Sequence, residues 1–291
     1  SYCMLACGNE PSGRWGPWVS KFVDYWKATD PRHVYTGASV GGSWQWQPHN
    51  QYHVKAGARG LSWAGSQPES MSDYRAKIDS VKQPYVSHET GQWCAFPNFS
   101  EIRKYTGVNK AKNFEIFRDI LNDNHMGSMG HDFMMASGKL QAICYKHEIE
   151  KTLRTPDYAG FQLLALNDYS GQGTALVGLL DVFFEEKGYI NADEFRRFCS
   201  PTVPLARIPK FVYTNDEAFH ADIEVSHFGA APLQEAKTVY SIKDEYGKVY
   251  AHGTVGTQNI PVGNLCTLGS VDMKLSGITK PQKLNMEIRI E

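Results

Sequence analysis

The sequence predicts an α/β region followed by an all-β domain, on three observations. Across residues 1–202, short apolar runs alternate with amphipathic helical stretches, the signature of repeated β/α units with parallel strands. Across residues 203–291 the texture changes to short alternating strands with turn signals between them, a length and pattern that suit an immunoglobulin-like β-sandwich. Two of the apolar runs, 2–7 and 84–87, each deliver a carboxylate past their C-terminal end, in Gly8-Asn9-Glu10-Pro11 and His88-Glu89-Thr90-Gly91. Parallel strands bring such ends to one edge, which in α/β barrels carries the reactive groups.

The elements follow in order. The first strand, 2–7, stops at Gly8. Residues 17–29 carry Trp18, Phe22, Tyr25 and Trp26 near helical spacing, and Asp30-Pro31 ends that helix. A strand is expected at 33–36, then a Gly/Trp/Gln-rich loop through Trp44, Trp46 and His49, then a short strand around 52–56. Residues 70–81 read as a helix leading to the strand that ends at Glu89, and 92–107 as a long aromatic loop. A helix over 110–125 shows the stripe Phe114, Phe117, Ile120 and Leu121, and a second is expected over 140–153. The run 160–166 is the last strand of the α/β region and presents Asn167-Asp168-Tyr169 on the same edge as the carboxylates. Gly171-Gln172-Gly173-Thr174 is a turn without the spacing of a phosphate-binding loop. Strands are then expected at 210–214, 221–227, 238–243, 249–254 and 283–290, with a hairpin turn at Asp244-Glu245-Tyr246-Gly247.

Composition narrows the function classes. A 291-residue chain with 42% hydrophobic and 21% charged residues can bury a large globular core. A net charge of −1 gives no basis for a nucleic-acid or anionic-membrane partner, and no apolar run approaches the roughly 18 residues of a membrane span. Cysteines at 3, 7, 94, 144, 199 and 266 form no Cys-x-x-Cys pair, which argues against zinc or thioredoxin-like motifs and leaves disulfide pairing open. No cofactor and no metal are expected: His49 and His53 lack an acidic companion, and His131-Asp132 sit in a Gly/Met-rich stretch without a ligand framework. The seven Trp suit either stacking on sugar rings or filling a large core. With no initiator Met and a strand almost at its start, the chain is expected to be a piece of a longer one.

Two carboxylates at strand ends are what glycoside hydrolysis requires, one as proton donor and one as nucleophile or base. Gly8-Asn9-Glu10, followed far downstream by strand-end Glu89, resembles the retaining (β/α)8-barrel glycosidases of clan A. Within that clan the chain looks most like glycoside hydrolase family 2, which includes β-galactosidases, β-glucuronidases and β-mannosidases. The segment His88-Glu89-Thr90-Gly91-Gln92-Trp93 departs from the patterns of those three activities. The resemblance implies that Glu10 is the acid/base, that Glu89 is the nucleophile, and that Asn9 donates a hydrogen bond to the sugar's 2-hydroxyl. It also implies that 1–202 hold about strands four to eight of a TIM (β/α)8 barrel, which cannot close without an N-terminal remainder. N-terminal β-domains and a β-sandwich after the barrel belong to the same expectation.

Weaker candidates surround the pair. His88 either binds a hydroxyl or points away, because neighbours on a strand face opposite sides. Trp93 either stacks beneath a sugar or packs in the loop. Trp44 and Trp46 lie in a polar loop with little local core to fill, and Asp168 either binds a hydroxyl or caps the following turn. The expected activity is removal of terminal, β-linked sugars such as β-galactosides from an oligo- or polysaccharide. Alternatives are β-glucuronide, β-mannoside or α-L-sugar specificity, and a non-catalytic carbohydrate-binding protein on a decayed barrel, against which both carboxylates are intact. The expected partners are the saccharide and the missing N-terminal domains. The chain by itself is expected to be inactive, and the family places the parent in the periplasm or outside the cell.

Overall fold

Every strand pair in the α/β region of the computed structural model, which describes residues 2–173 and 175–291, is parallel, in one two-stranded and one four-stranded sheet. β1 (Met4–Ala6) pairs with β2 (Val34–Thr36), and the ladder runs on past both. Cys7 N–H donates to Thr36 O at 3.2 Å, Ser39 N–H to Gly8 O at 2.9 Å and Glu10 N–H to Ser39 O at 2.9 Å. β3 (Ser39–Val40) pairs with β4 (His53–Lys55), β4 with β5 (Tyr85–Thr90), and β5 with β6 (Tyr158–Leu163), all parallel. Every residue of β4 and most of β5 are buried, as expected of parallel strands covered on both faces. The ladder is open, and no closed eight-stranded barrel is present among the described residues.

The chain divides into two compact units. The first comprises 1–60, 77–149 and 157–196, and contains this ladder. Helix α1 (Trp15–Thr29) buries Val19 and Val23 and is closed by Asp30 N–H bonding Trp26 O at 2.8 Å. Helix α3 (Lys112–Asp123) buries Phe114 and Leu121, two residues of the expected stripe. Helix α4 (Gly130–Leu153) starts well before the expected residue 140. The glycine that disguised it is a packing device: a Cβ on Gly138 would lie 2.2 Å from Cδ1 of Tyr189. The turn read at 171–174 runs into Thr174, which lies outside the described residues.

The second unit comprises 61–76, 150–156 and 197–291. Its sheets are β7 (Thr202–Arg207), β8 (Ala218–His227) and β11 (Gly263–Lys274), in the order β11-β8-β7, and β9 (Leu233–Asp244), β10 (Val249–Ile260) and β12 (Leu284–Ile290), in the order β10-β9-β12. One apolar core draws Ala221, Ile223 and Val225 from the first sheet and Ala236, Ile242 and Ile260 from the second, which makes the pair a β-sandwich. The expected hairpin turn is present: Asp244 Oδ1 accepts from Tyr246 N–H at 3.0 Å and Lys248 N–H at 2.9 Å.

Three local expectations are corrected. The helix read at 70–81 shrinks to α2 (Arg75–Ile78). Glu69 accepts from Ser72 N–H at 2.8 Å and Asp73 from Arg75 N–H at 2.9 Å, local bonds that compete with helix. The strand read at 210–214 is absent; the chain there turns on Glu217, which accepts from Thr214 N–H at 2.7 Å. β7 instead carries Pro204 and lies at a sheet edge, where proline is tolerated. The strand β11 was not foreseen, since polar residues interrupt its apolar positions. All six cysteines are free.

Candidate active site

Glu10 follows β1 and Glu89 is the penultimate residue of β5, so both stand at C-terminal ends of parallel strands. Both also have positive φ, 41° at Glu10 and 52° at Glu89, a conformation that non-glycine residues rarely adopt. Such strain persists only where surrounding contacts impose it. At Glu89 the β5–β6 register shifts between Ser87 and Thr90, a bulge in the strand. Bulges re-aim side chains, and this one brings consecutive residues to one site: His88 Nε2 lies 3.6 Å from Glu89 Oε1. One oxygen of Glu10, one oxygen of Glu89 and one ring nitrogen of His88 lie within 4.8 Å of one another.

The two oxygens of Glu89 have different surroundings. Oε1 faces His88, whereas Oε2 lies 3.7 Å from Arg59 Nη1 and accepts from Gln92 Nε2 at 3.3 Å. Arg59 Nη1 also donates to Glu89 O at 2.8 Å and to His88 O, so one guanidinium holds the bulge and puts positive charge beside the carboxylate. Glu10 and Asn9 are exposed, with Asn9 bridged to Ser39 through the backbone. His88 is buried.

Trp93 is partly buried and its indole donates to Glu148 Oε2 at 2.6 Å. Glu148 Oε1 accepts from Gly60 N–H at 2.7 Å. Burial pushes the Glu148 carboxyl above its ordinary range, against the pull of these bonds. Gln141 Nε2 donates to Trp93 O at 2.6 Å, and the Tyr145 hydroxyl lies 2.7 Å from both Gly91 O and Val177 O. Gly91 has φ 81°, and a Cβ there would lie 2.0 Å from Tyr145 Cε1, so glycine alone fits. Sequence reasoning missed Arg59, Gln141, Tyr145 and Glu148 as site supports. The signal was the spacing 141, 145, 148, which puts three polar-tipped residues on one face of α4.

Other candidates lie elsewhere in their roles. The Trp46 ring packs edge-on against His53 at 4.7 Å and Tyr85 at 6.1 Å, with Lys55 Nζ 4.0 Å over its face. The loop therefore has a local core to fill, contrary to expectation. Trp44 lies 5.4 Å from Trp15, and its carbonyl accepts from Lys55 Nζ. Asp168 is 2% exposed; its Oδ2 lies 2.5 Å from Lys187 Nζ and its Oδ1 accepts from Gly178 N–H at 2.8 Å. It is a buried, ion-paired group.

Comparison with known proteins adds the following. Residues 217–291, from β8 to the C-terminal end, match the model of a domain of unknown function (DUF8488). No curated protein matches the chain. Among solved structures, it is similar to a putative β-galactosidase from Bacteroides fragilis, at 12% identity and TM-score 0.42, over 93% of this chain and 40% of that one. An exo-chitosanase from Amycolatopsis orientalis matches at 11% identity and TM-score 0.42, over 99% of this chain and 36% of that one. A β-glucuronidase from Parabacteroides merdae matches at 11% identity and TM-score 0.39, over 99% of this chain and 36% of that one. The chain thus spans about two-fifths of the length of the solved proteins it resembles.

Proposed function

We propose that this chain carries the carboxylate pair of a retaining glycoside hydrolase, on the later strands of a (β/α)8 barrel followed by an immunoglobulin-like sandwich. The observation that carries this reading is the approach of Glu10 and Glu89 within 4.8 Å, each at a strand end and each at positive φ. Glu10, exposed to solvent, protonates the leaving glycosidic oxygen. Glu89 attacks the anomeric carbon as the C–O bond to the leaving group breaks, forming a glycosyl ester. Glu10 then takes a proton from water, whose oxygen displaces Glu89 and restores the original anomeric configuration. Arg59, 3.7 Å from Glu89 Oε2, supports the charged nucleophile. Asn9, beside Glu10, is placed by this reading on the sugar's 2-hydroxyl, and the substrate is a terminal β-linked sugar, a β-galactoside in the first instance.

The test uses the full-length protein carrying this chain and aryl β-glycosides. Glu89→Ala is expected to abolish turnover, with azide restoring release of the aryl group and yielding the glycosyl azide of inverted configuration. Glu10→Ala with azide is expected to yield the retained anomer. Wild-type rates in Glu89→Ala would end the nucleophile assignment.

A further inference from the structure

His88 is the member of this site that hydrolysis does not require. Its side chain is 7% exposed, and neither ring nitrogen has a hydrogen-bond partner among the described residues. A buried polar group without a partner is costly and calls for an explanation. The imidazole is aimed into the carboxylate pair, with Nε2 3.6 Å from Glu89 Oε1. Two ligands bound at 2.0–2.2 Å to a tetrahedral ion lie about 3.4 Å apart, so this pair already stands near ligand spacing. The third group, one oxygen of Glu10, lies within 4.8 Å of one ring nitrogen of His88 and one oxygen of Glu89, and belongs to an exposed side chain.

We propose that Glu10, His88 and Glu89 form a three-ligand site for a divalent transition-metal ion of the zinc class. One imidazole nitrogen and two carboxylate oxygens favour Zn2+ over Ca2+ and Mg2+, which prefer oxygen alone. The two carboxylates balance the ion's charge, and a fourth position stays open to water. Arg59 and Gln92 engage Glu89 Oε2 and leave Oε1 to the ion. Because the ion occupies both reactive carboxylates, it excludes the glycoside, so Zn2+ acts as a competitive and reversible inhibitor. This inhibition rests on the glycosidase reading, whereas the metal site itself does not.

The experiment is calorimetric titration of the metal-free full-length protein carrying this chain with Zn2+, paired with Co2+ as a spectroscopic probe. Expected are one ion per chain, at least about tenfold weaker binding in Glu10→Gln and in His88→Gln, and weaker binding of Ca2+ and Mg2+. Glu10 is exposed, so Glu10→Gln keeps the fold and decides the matter. No saturable Zn2+ binding, or binding unchanged in Glu10→Gln, overturns the proposal. So does a thiolate charge-transfer band with Co2+, which would assign the ion to an exposed thiol such as Cys3 or Cys94. Zn2+ binding that fails in Glu10→Gln supports the ion site even if the full-length protein turns over no glycoside, an outcome that would remove the glycosidase reading alone.

Discussion

The indole of Trp93 donates a 2.6 Å hydrogen bond to Oε2 of Glu148, a carboxylate only 1% exposed on α4. The other oxygen accepts from the backbone of Gly60, so one buried side chain ties the loop after β5 to the segment after β4. Glu148→Leu would remove the acceptor of both bonds, at about 1–3 kcal/mol each. Urea unfolding is expected to show a loss on the order of 2–5 kcal/mol, with a changed Trp fluorescence in the native state. Glu148→Gln keeps one acceptor and should lose less. Equal stability of Glu148→Leu and wild type would show that these bonds contribute nothing net.

Gly91 follows the bulge by two residues and cannot bear a side chain without displacing Tyr145. Gly91→Ala combines a forced clash with a φ of 81° that alanine resists. The expected loss is about 3 kcal/mol or more, read as a lower thermal midpoint. Tyr145→Phe removes the hydroxyl but not the ring, so it should be milder, about 1–2 kcal/mol.

What the sequence made legible follows from which forces leave a local trace. β5 showed itself because its buried start, Tyr85 and Val86, is apolar, and β1 because of an apolar run that is exposed or half-buried in the structure; the carboxylates stood out because they follow those runs. The orientation of His88 was not legible: strict alternation sends it away from Glu89, and only a positive φ at a non-glycine residue reverses that. Arg59 and Glu148 were hidden because their partners lie 30 and 55 residues away along the chain. The early start of α4 was masked by Gly138, kept for Tyr189 rather than to break a helix. Asp168 looked available because a strand-end carboxylate carries no mark of a lysine nineteen residues on that will bury it.

Glu101 gives the fold a pH dependence of definite sign. It is 1% exposed, and neither carboxylate oxygen has a hydrogen-bond partner among the described residues. Burial, then Asp181 and Asp168, raises its pKa from 4.5 to about 7, against the opposing pull of Lys187 and Lys104. Between those two values the native state keeps a proton that the unfolded chain has released, so stability falls as pH rises through the window and levels off above it. The full penalty is about 3 kcal/mol. Urea unfolding across pH 4.5 to 8 should therefore show Glu101→Gln gaining on wild type by about that amount. A pH-independent difference between the two would refute the assignment.

On the proposed glycosidase reading, Arg59 is the support whose loss should be felt in turnover rather than in binding. Its Nη1 donates to the carbonyls of His88 and Glu89 and lies 3.7 Å from the Glu89 carboxylate, so it fixes both the strained backbone and the charge. Arg59→Met frees the bulge, and misplacing a reacting group by about 1 Å costs roughly a hundredfold in rate. In the full-length protein kcat is expected to fall by about that factor while KM changes little, because the exposed Glu10 side of the site is untouched. Arg59→Lys restores the charge without the planar fork that reaches two carbonyls, and should recover only part of the rate. Steady-state kinetics on an aryl glycoside separate the cases: an unchanged kcat in Arg59→Met would mean that Glu89 holds its strained conformation without the guanidinium.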